Sequence, residues 1–144
     1  MIPNYAAQTY DPTKVEVLVM GVPTVGFAEG SMVKATRNSD QTTTHVGATG
    51  QVDFVESADK SGEVSITLKH NSPTNGLFQT LHNQKLKFPI ICVDINIGTQ
   101  FGFNAMECKV KKQPDFERGK DMGEVEWVFV AAEVNYNWPT FTPV

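Results

Sequence analysis

The chain lacks most of what membrane proteins, nucleic-acid binders and enzymes require. None of its apolar runs approaches the roughly 20 residues of a membrane helix. Lysine and arginine number 12 against 16 aspartates and glutamates, a formal charge of −4. A protein that grips nucleic acid by its phosphates needs the opposite excess on some face. The opening stretch MIPNYAAQTYDPTKV has no basic segment leading into an apolar one, so no secretory signal is expected. Cysteine occurs only at Cys92 and Cys108, both in strand-like segments. The two could bridge across a sheet, but without a signal the expectation is a pair of reduced thiols.

Catalytic and metal-binding patterns are also missing. His45, His70 and His82 never fall at the H-x-x-x-H spacing that puts two imidazoles on one helix face. Asp94-Ile95-Asn96-Ile97-Gly98 echoes a calcium loop but lacks the further oxygen ligands and the distal bidentate glutamate, so a hairpin turn is expected there. Gly26-Phe27-Ala28-Glu29-Gly30 has no Lys-Ser/Thr after it and cradles no phosphate. No serine sits in a G-x-S-x-G elbow. Asp115, Glu117, Asp121, Glu124 and Glu126 lie in or near a loop rich in lysine and arginine. They read as a solvated charged loop before they read as an acid–base pair. No catalytic residue, cofactor or metal is expected.

What is present is alternation. The 144 residues suit one domain, 1–144, long enough to bury a core without staples. Lys14–Met20 alternates, with Val15, Val17 and Val19 on one face; Gly21-Val22-Pro23 breaks it, and Thr24–Ala28 suggests a return strand. Ser31–Arg37 is a further short run. Val52 and Phe54 continue a strand out of the polar stretch RNSDQTTTHVGATGQ, whose turn is Gly47–Gly50. Glu63–Lys69 alternates most cleanly, with Val64, Ile66 and Leu68 inward. In FPIICVDINI the spacing assigns Ile91, Val93, Ile95 and Ile97 to one face, with a tight turn at Gly98-Thr99. One helix is expected, over about 73–83. Ser72 caps it, Pro73 enters it, and Leu77, Phe78 and Leu81 form its apolar stripe. The expected fold is mainly β (α+β): an antiparallel β-sandwich or barrel with one flanking helix.

GEVEWVFVAAEVNYNW, residues 123–138, is apolar on both faces: Val125, Trp127, Phe129 and Ala131 on one, Val128, Val130, Ala132 and Val134 on the other. A half-exposed antiparallel strand needs only one such face. Two covers for the second face are open, the chain's own helix or a neighbouring subunit. The polar run 38–51 likewise reads either as a solvated hairpin or as an arm that orders against a neighbour.

Several segments, in order, resemble one family. They are YDPTKVEVLVMGVPTVGFAEGSMV, RNSDQTTTHVGATGQV, DKSGEVSITLKHNSPTNGLFQTL and QPDFERGKDMGEVEWVF. Together they are similar to the tail tube proteins of contractile-tailed bacteriophages, and the resemblance covers most of the chain. It implies β-sandwich or barrel subunits that form hexameric rings and stack into a tube inside a sheath, with the genome passing through the lumen. The implied partners are the chain itself, tail sheath, baseplate and tape-measure proteins. DNA would pass without specific binding, with no membrane contact, in a particle assembled in the bacterial host cytoplasm.

Under that reading a lumen wall should be acidic or neutral, so that phosphates do not stick. Its candidates are Glu29, Thr36, Thr42, Thr44, Asp53 and Glu56. Contacts between rings or subunits are expected from an N-terminal arm 1–13, the polar hairpin 38–50, the loop Ser57–Gly62 and the segment Lys111–Gly123. The named candidates are Asn38, Asp40, His45, Asp59, Lys60, Lys111, Lys112, Asp115, Glu117, Arg118, Lys120 and Asp121. The alternative is a soluble carbohydrate- or peptide-binding β-sandwich using Tyr136, Trp138 and Phe141 as a stacking platform. A small hydrolase with a dispersed site is a third reading.

Overall fold

A computed structural model of the chain describes residues 7, 9–30, 32–96 and 101–138. The clean alternation at 63–69 becomes strand β6, Gly62–Lys69, with Val64, Ile66 and Leu68 fully buried. Strand β6 pairs antiparallel with the long strand β9, Glu124–Asn137, from Gly62↔Ala131 to Lys69↔Glu124. Around this pair, β1 (Val15–Val19), β2 (Val22–Pro23), β3 (Val33–Arg37), β7 (Phe88–Asp94) and β8 (Gly102–Lys112) complete a seven-stranded sheet in the order β2-β1-β7-β8-β9-β6-β3. The sheet curls into a barrel. Residues 24–28 bind β1 on one side (Thr24 N–H to Val17 O, 2.8 Å) and β6 on the other (Lys69 N–H to Gly26 O, 2.9 Å; bridge Phe27↔Leu68). The expected return strand Thr24–Ala28 is therefore corrected. Regular pairing with β1 is confined to Val22–Pro23, because the chain must leave β1 to close on β6.

The helix α1 spans Thr74–Gln84. Ser72 acts as foreseen: its hydroxyl accepts from Thr74 N–H at 3.2 Å and donates to Val25 O at 2.5 Å. Phe78 and Leu81 face inward, and the Phe78 ring stands edge-on to Trp127 (5.5 Å) and Phe129 (5.1 Å). Phe88 meets Phe129 in the same manner at 5.6 Å. The helix thus plugs the barrel and covers the first face of β9, not the second. On the second face Val128 is half-buried and Val130 is 39% exposed.

Two inward faces depart from expectation. In β7 the buried residues are Phe88, Ile90 and Cys92; Ile91 and Val93 lie half-buried on the outside, and Ile95 falls in the turn. Both faces of this segment are apolar, and the Phe88–Phe129 contact decides between them. Val134 of β9 is also buried, although alternation puts it with Val130. Parity switches where Glu107, with φ +53°, and Ala132 opposite it drop out of the pairing between Met106↔Glu133 and Cys108↔Ala131. Against β7 the same stretch of β8 carries one extra residue, three steps from Cys108 to Ala105 opposite two from Phe88 to Ile90. Ile97, Gly98-Thr99, Phe141 and most of the arm 1–13 lie outside the described residues.

Candidate functional site

One element stands apart from the barrel. Strands β4, Thr42–Val46, and β5, Val52–Glu56, pair only with each other, in register Thr42↔Glu56 to Val46↔Val52. Turn chemistry at Gly47–Gly50 closes them, with Gly50 N–H bonded to Gly47 O at 3.0 Å. Directly opposed residues share a face. One face therefore carries Thr42, Thr44, Val46, Val52, Phe54 and Glu56, and the other carries Thr43, His45, Asp53 and Val55. Every residue of both strands is exposed, Phe54 to 74%. The hairpin reaches Glu56, beyond the expected limit of 50, because Val52 and Phe54 belong to it rather than to the barrel.

The hairpin is held at its root. Ser57 N–H donates to Gln41 O at 2.7 Å and Asn38 N–H to Ser61 O at 3.0 Å. Asp59 gathers the rest: its carboxylate accepts from Ser61 N–H (2.9 Å), Ser61 Oγ (2.7 Å) and Ser39 Oγ (2.7 Å). The Ser61 hydroxyl, then the Ser61 N–H and the Ser39 hydroxyl, hold its pKa below the ordinary 3.8. A depressed carboxylate contributes order that is present above its unfolded pKa and lost as pH falls through its folded value. The root is therefore expected to stay closed down to pH 3.8 and to loosen only below it. Asp59→Asn is expected to raise amide exchange at Ser61 throughout the neutral range, read by NMR.

The other candidates are scattered around the barrel. Thr36 lies on the outer face of β3 in a cross-strand row with Glu63, Val130 and Lys109. Glu29 is exposed beside a cleft of about 660 Å³ lined by Val15, Val17, Pro23, Phe27 and Thr24. The buried Thr24 hydroxyl has no partner among the described residues. Asn38, Asp40, His45, Asp59 and Lys60 all lie on the hairpin or its root and are exposed. Lys111 forms an ion pair with Glu63, joining β8 to β6 across the outer face of β9. Lys112 ends β8, and the exposed loop after it holds Asp115, Glu117, Arg118, Lys120 and Asp121, with the Arg118 guanidinium 4.3 Å from the Phe116 ring centre. The structure thus brings Thr42, Thr44 and Glu56 onto one face and parts them from Asp53, Thr36 and Glu29.

Sequence reasoning missed the ties that fix this frame. Arg37 donates through Nε to Val134 O (2.8 Å) and packs on Tyr136, whose hydroxyl donates to Ala35 O (3.2 Å). Trp127 Nε1–H donates to Asn75 Oδ1 at 2.9 Å, fastening helix to barrel. The aromatic platform is partly committed too, since Trp138 packs edge-on against Phe101 at 4.6 Å. Asp94 Oδ1 accepts from the Asn96 backbone (3.0 Å) and side-chain amide (2.8 Å), which is turn chemistry.

Cys92 and Cys108 are both unpaired and buried. Burial, with the Asp94 charge beside it, pushes the Cys92 thiol up to about 11, and burial pushes Cys108 up to about 12. Only thiolate reacts. At pH 8 neither thiol is expected to titrate with a disulfide reagent until the chain is unfolded, when both do.

The comparisons with known proteins agree on one architecture. The family described as bacteriophage PhiTE tail tube protein matches residues 19–137. No curated protein matches in sequence. Among solved structures, the chain is similar to the sheath/tube terminator of an extracellular contractile injection system, PVC, in its extended state. The TM-score is 0.64 at 13% identity, over 93% of this chain and 100% of that one. The sheath-tube complex of the same kind of system gives 0.59 at 14% identity, over 90% and 91%. A protein of a native gene transfer agent virion gives 0.63 at 7% identity, over 90% and 100%. At these identities the likeness is one of fold, and it fits a plugged antiparallel barrel with a projecting hairpin. By the match over residues 19–137, the chain belongs to the phage tail tube protein family, whose members are structural proteins and not enzymes.

Proposed function

We propose that this tail tube subunit forms hexameric rings that stack around a lumen through which the genome passes during ejection. The observation that carries the reading is the hairpin face of Val46, Val52 and Phe54, apolar and exposed in the lone chain. A surface of that kind calls for a protein neighbour. A face with three bare apolar side chains makes a poor wall for a water-filled bore, so Thr42, Thr44 and Glu56 are assigned to subunit contact. Asp53, on the reverse face of the same hairpin, is assigned to its rim. The lumen wall is assigned to the outer face of β3, β6, β9 and β8 around Thr36. There Lys34, Lys109 and Lys111 stand against Glu63 and Glu126, with Lys111 paired to Glu63, which leaves one positive charge per subunit and a wall less acidic than expected. Glu29 is assigned to the rim. The sheath is assigned as the outer partner, and baseplate and tape-measure proteins as partners of the finished tube.

Electron micrographs of the purified protein test the reading. Rings or tubes with a visible bore are expected, and lone particles at every concentration and salt would overturn it. A second test removes the hairpin. Gln41 and Ser57 already bond to each other, so residues 42–56 are replaced by a two-residue Asn-Gly turn. The product is expected to melt within a few degrees of the parent and to form no polymer.

A further inference from the structure

In an antiparallel barrel, successive connections alternate between its two ends. At one end lie the β1–β2 turn, the helix with its exit turn into β7, and the β8–β9 loop. At the other lies the β3–β6 connection, which carries the hairpin. Charge is uneven between these ends: the hairpin and its root are acidic apart from Lys60, the helix and its exit are basic, and the β8–β9 loop beside that exit carries both signs. Residues 38–59 hold Asp40, Asp53, Glu56 and Asp59 and no lysine or arginine, a formal −4 equal to that of the whole chain. Residues 69–87, at the helix end, hold Lys69, Lys85 and Lys87 and no acid. Lys85, Leu86 and Lys87 are consecutive and all exposed, Leu86 to 38%. Lys85 ends the helix in the left-handed region, its N–H bonded to His82 O and Leu81 O. Met20, exposed and bonded through its N–H to Pro89 O at 3.0 Å, adds a second apolar side chain at this end.

The two ends are complementary in two respects. The hairpin offers an apolar centre, Phe54 with Val46 and Val52, with Glu56 on the same face, Asp53 on the reverse face and Asp40 and Asp59 at the root. The helix exit offers exposed Leu86 between the ammonium groups of Lys85 and Lys87, with exposed Met20 at the same end of the barrel. Building on the ring-and-stack reading above, we propose that the β4–β5 hairpin of one copy docks on the Lys85-Leu86-Lys87 turn of the next copy. The two patches differ and sit at opposite ends, so the contact is heterologous and repeats without closing on itself in pairs. Hairpin meeting hairpin brings acid to acid, which disfavours head-to-head assembly. The root clamped by Asp59 holds the hairpin out in advance, so little order is lost on docking.

Charge reversal tests the assignment. One variant carries Asp53→Lys and Glu56→Lys; the other carries Lys85→Glu and Lys87→Glu. All four side chains are exposed, and each variant is checked by its melting curve. Each alone is expected to lose sedimentable polymer at least about tenfold. Mixed in equal amounts they are expected to polymerise again, since each hairpin now finds an opposite charge on the other variant. If either variant assembles alone as well as the parent, the assignment is overturned. It is equally overturned if both are inert and the mixture stays inert. Should a variant fail to fold, the parent protein decides. Its polymer is expected to weaken from about 0.05 to 1 M salt, as the screening length shrinks from above 10 Å to about 3 Å; polymer indifferent to salt overturns the proposal. A parent that never forms rings or tubes strikes instead at the reading beneath it.

Discussion

Phe78→Ala is expected to destabilise the subunit by about 3–5 kcal/mol. The side chain is fully buried, and its ring makes edge contacts with both Trp127 and Phe129. Truncation removes the transfer free energy of a phenyl group and leaves a cavity where the helix meets the barrel. The helix has only 11 residues, with Gly76 inside it, so it depends on that contact rather than on its own propensity. For a chain of this length the loss corresponds to a fall in Tm of about 6–20 °C. Urea unfolding of the isolated subunit checks the value. A change below 1 kcal/mol would mean that the helix is not the barrel's plug. An equal change in Trp127→Phe is not expected, because that substitution keeps the ring contact and loses only the Asn75 hydrogen bond.

Gly62→Ala is the second large effect, and its cause is different. A β-carbon built at Gly62 would lie 2.1 Å from the carbonyl oxygen of Thr36 and 2.8 Å from Cγ2 of Val134. The first obstacle is backbone, so no rotamer change relieves it. Either β3 moves away from β6, breaking the Arg37↔Gly62 end of their pairing, or β6 shifts against β9. The expected cost is about 3 kcal/mol. Because Gly62 follows the hairpin root directly, the same substitution is expected to swing the hairpin and lower polymer yield beyond what lost stability explains. Unfolding and sedimentation measured on one preparation separate the two effects. A variant as stable as the parent would show that β3 and β6 are not packed this closely.

Much of this frame is legible in the sequence, and the exceptions have physical causes. Val64, Ile66 and Leu68 alternate with polar residues, so only one face of that strand can point inward, and it does. Ser72-Pro73 reads as a helix entry because cap chemistry is local. By contrast, Phe88, Ile90 and Cys92 compete with Ile91, Val93 and Ile95, and periodicity cannot rank two apolar faces. The choice is made by Phe129, a contact far off in sequence. The parity switch beside Glu107 is hidden for a similar reason. A non-glycine residue takes the left-handed conformation there, and no turn residue announces it. Polar and charged runs mark residues 38–50 as one exposed hairpin, and β4 with its turn lies within them. Its apolar face stayed hidden because Val46, Val52 and Phe54 meet only once the register is known. Lys85-Leu86-Lys87 drew no notice because two lysines beside a leucine are ordinary until topology sets them opposite an acidic hairpin.

The excess of carboxylates at the hairpin end over the helix end also acts before any contact forms. It gives each subunit an electric dipole directed along its strands. Two such molecules approaching in dilute salt feel a torque that turns them nose to tail while they are still separated by water, so a larger share of collisions is productive. Tube growth should accordingly slow as salt is added, even at concentrations where finished tubes persist.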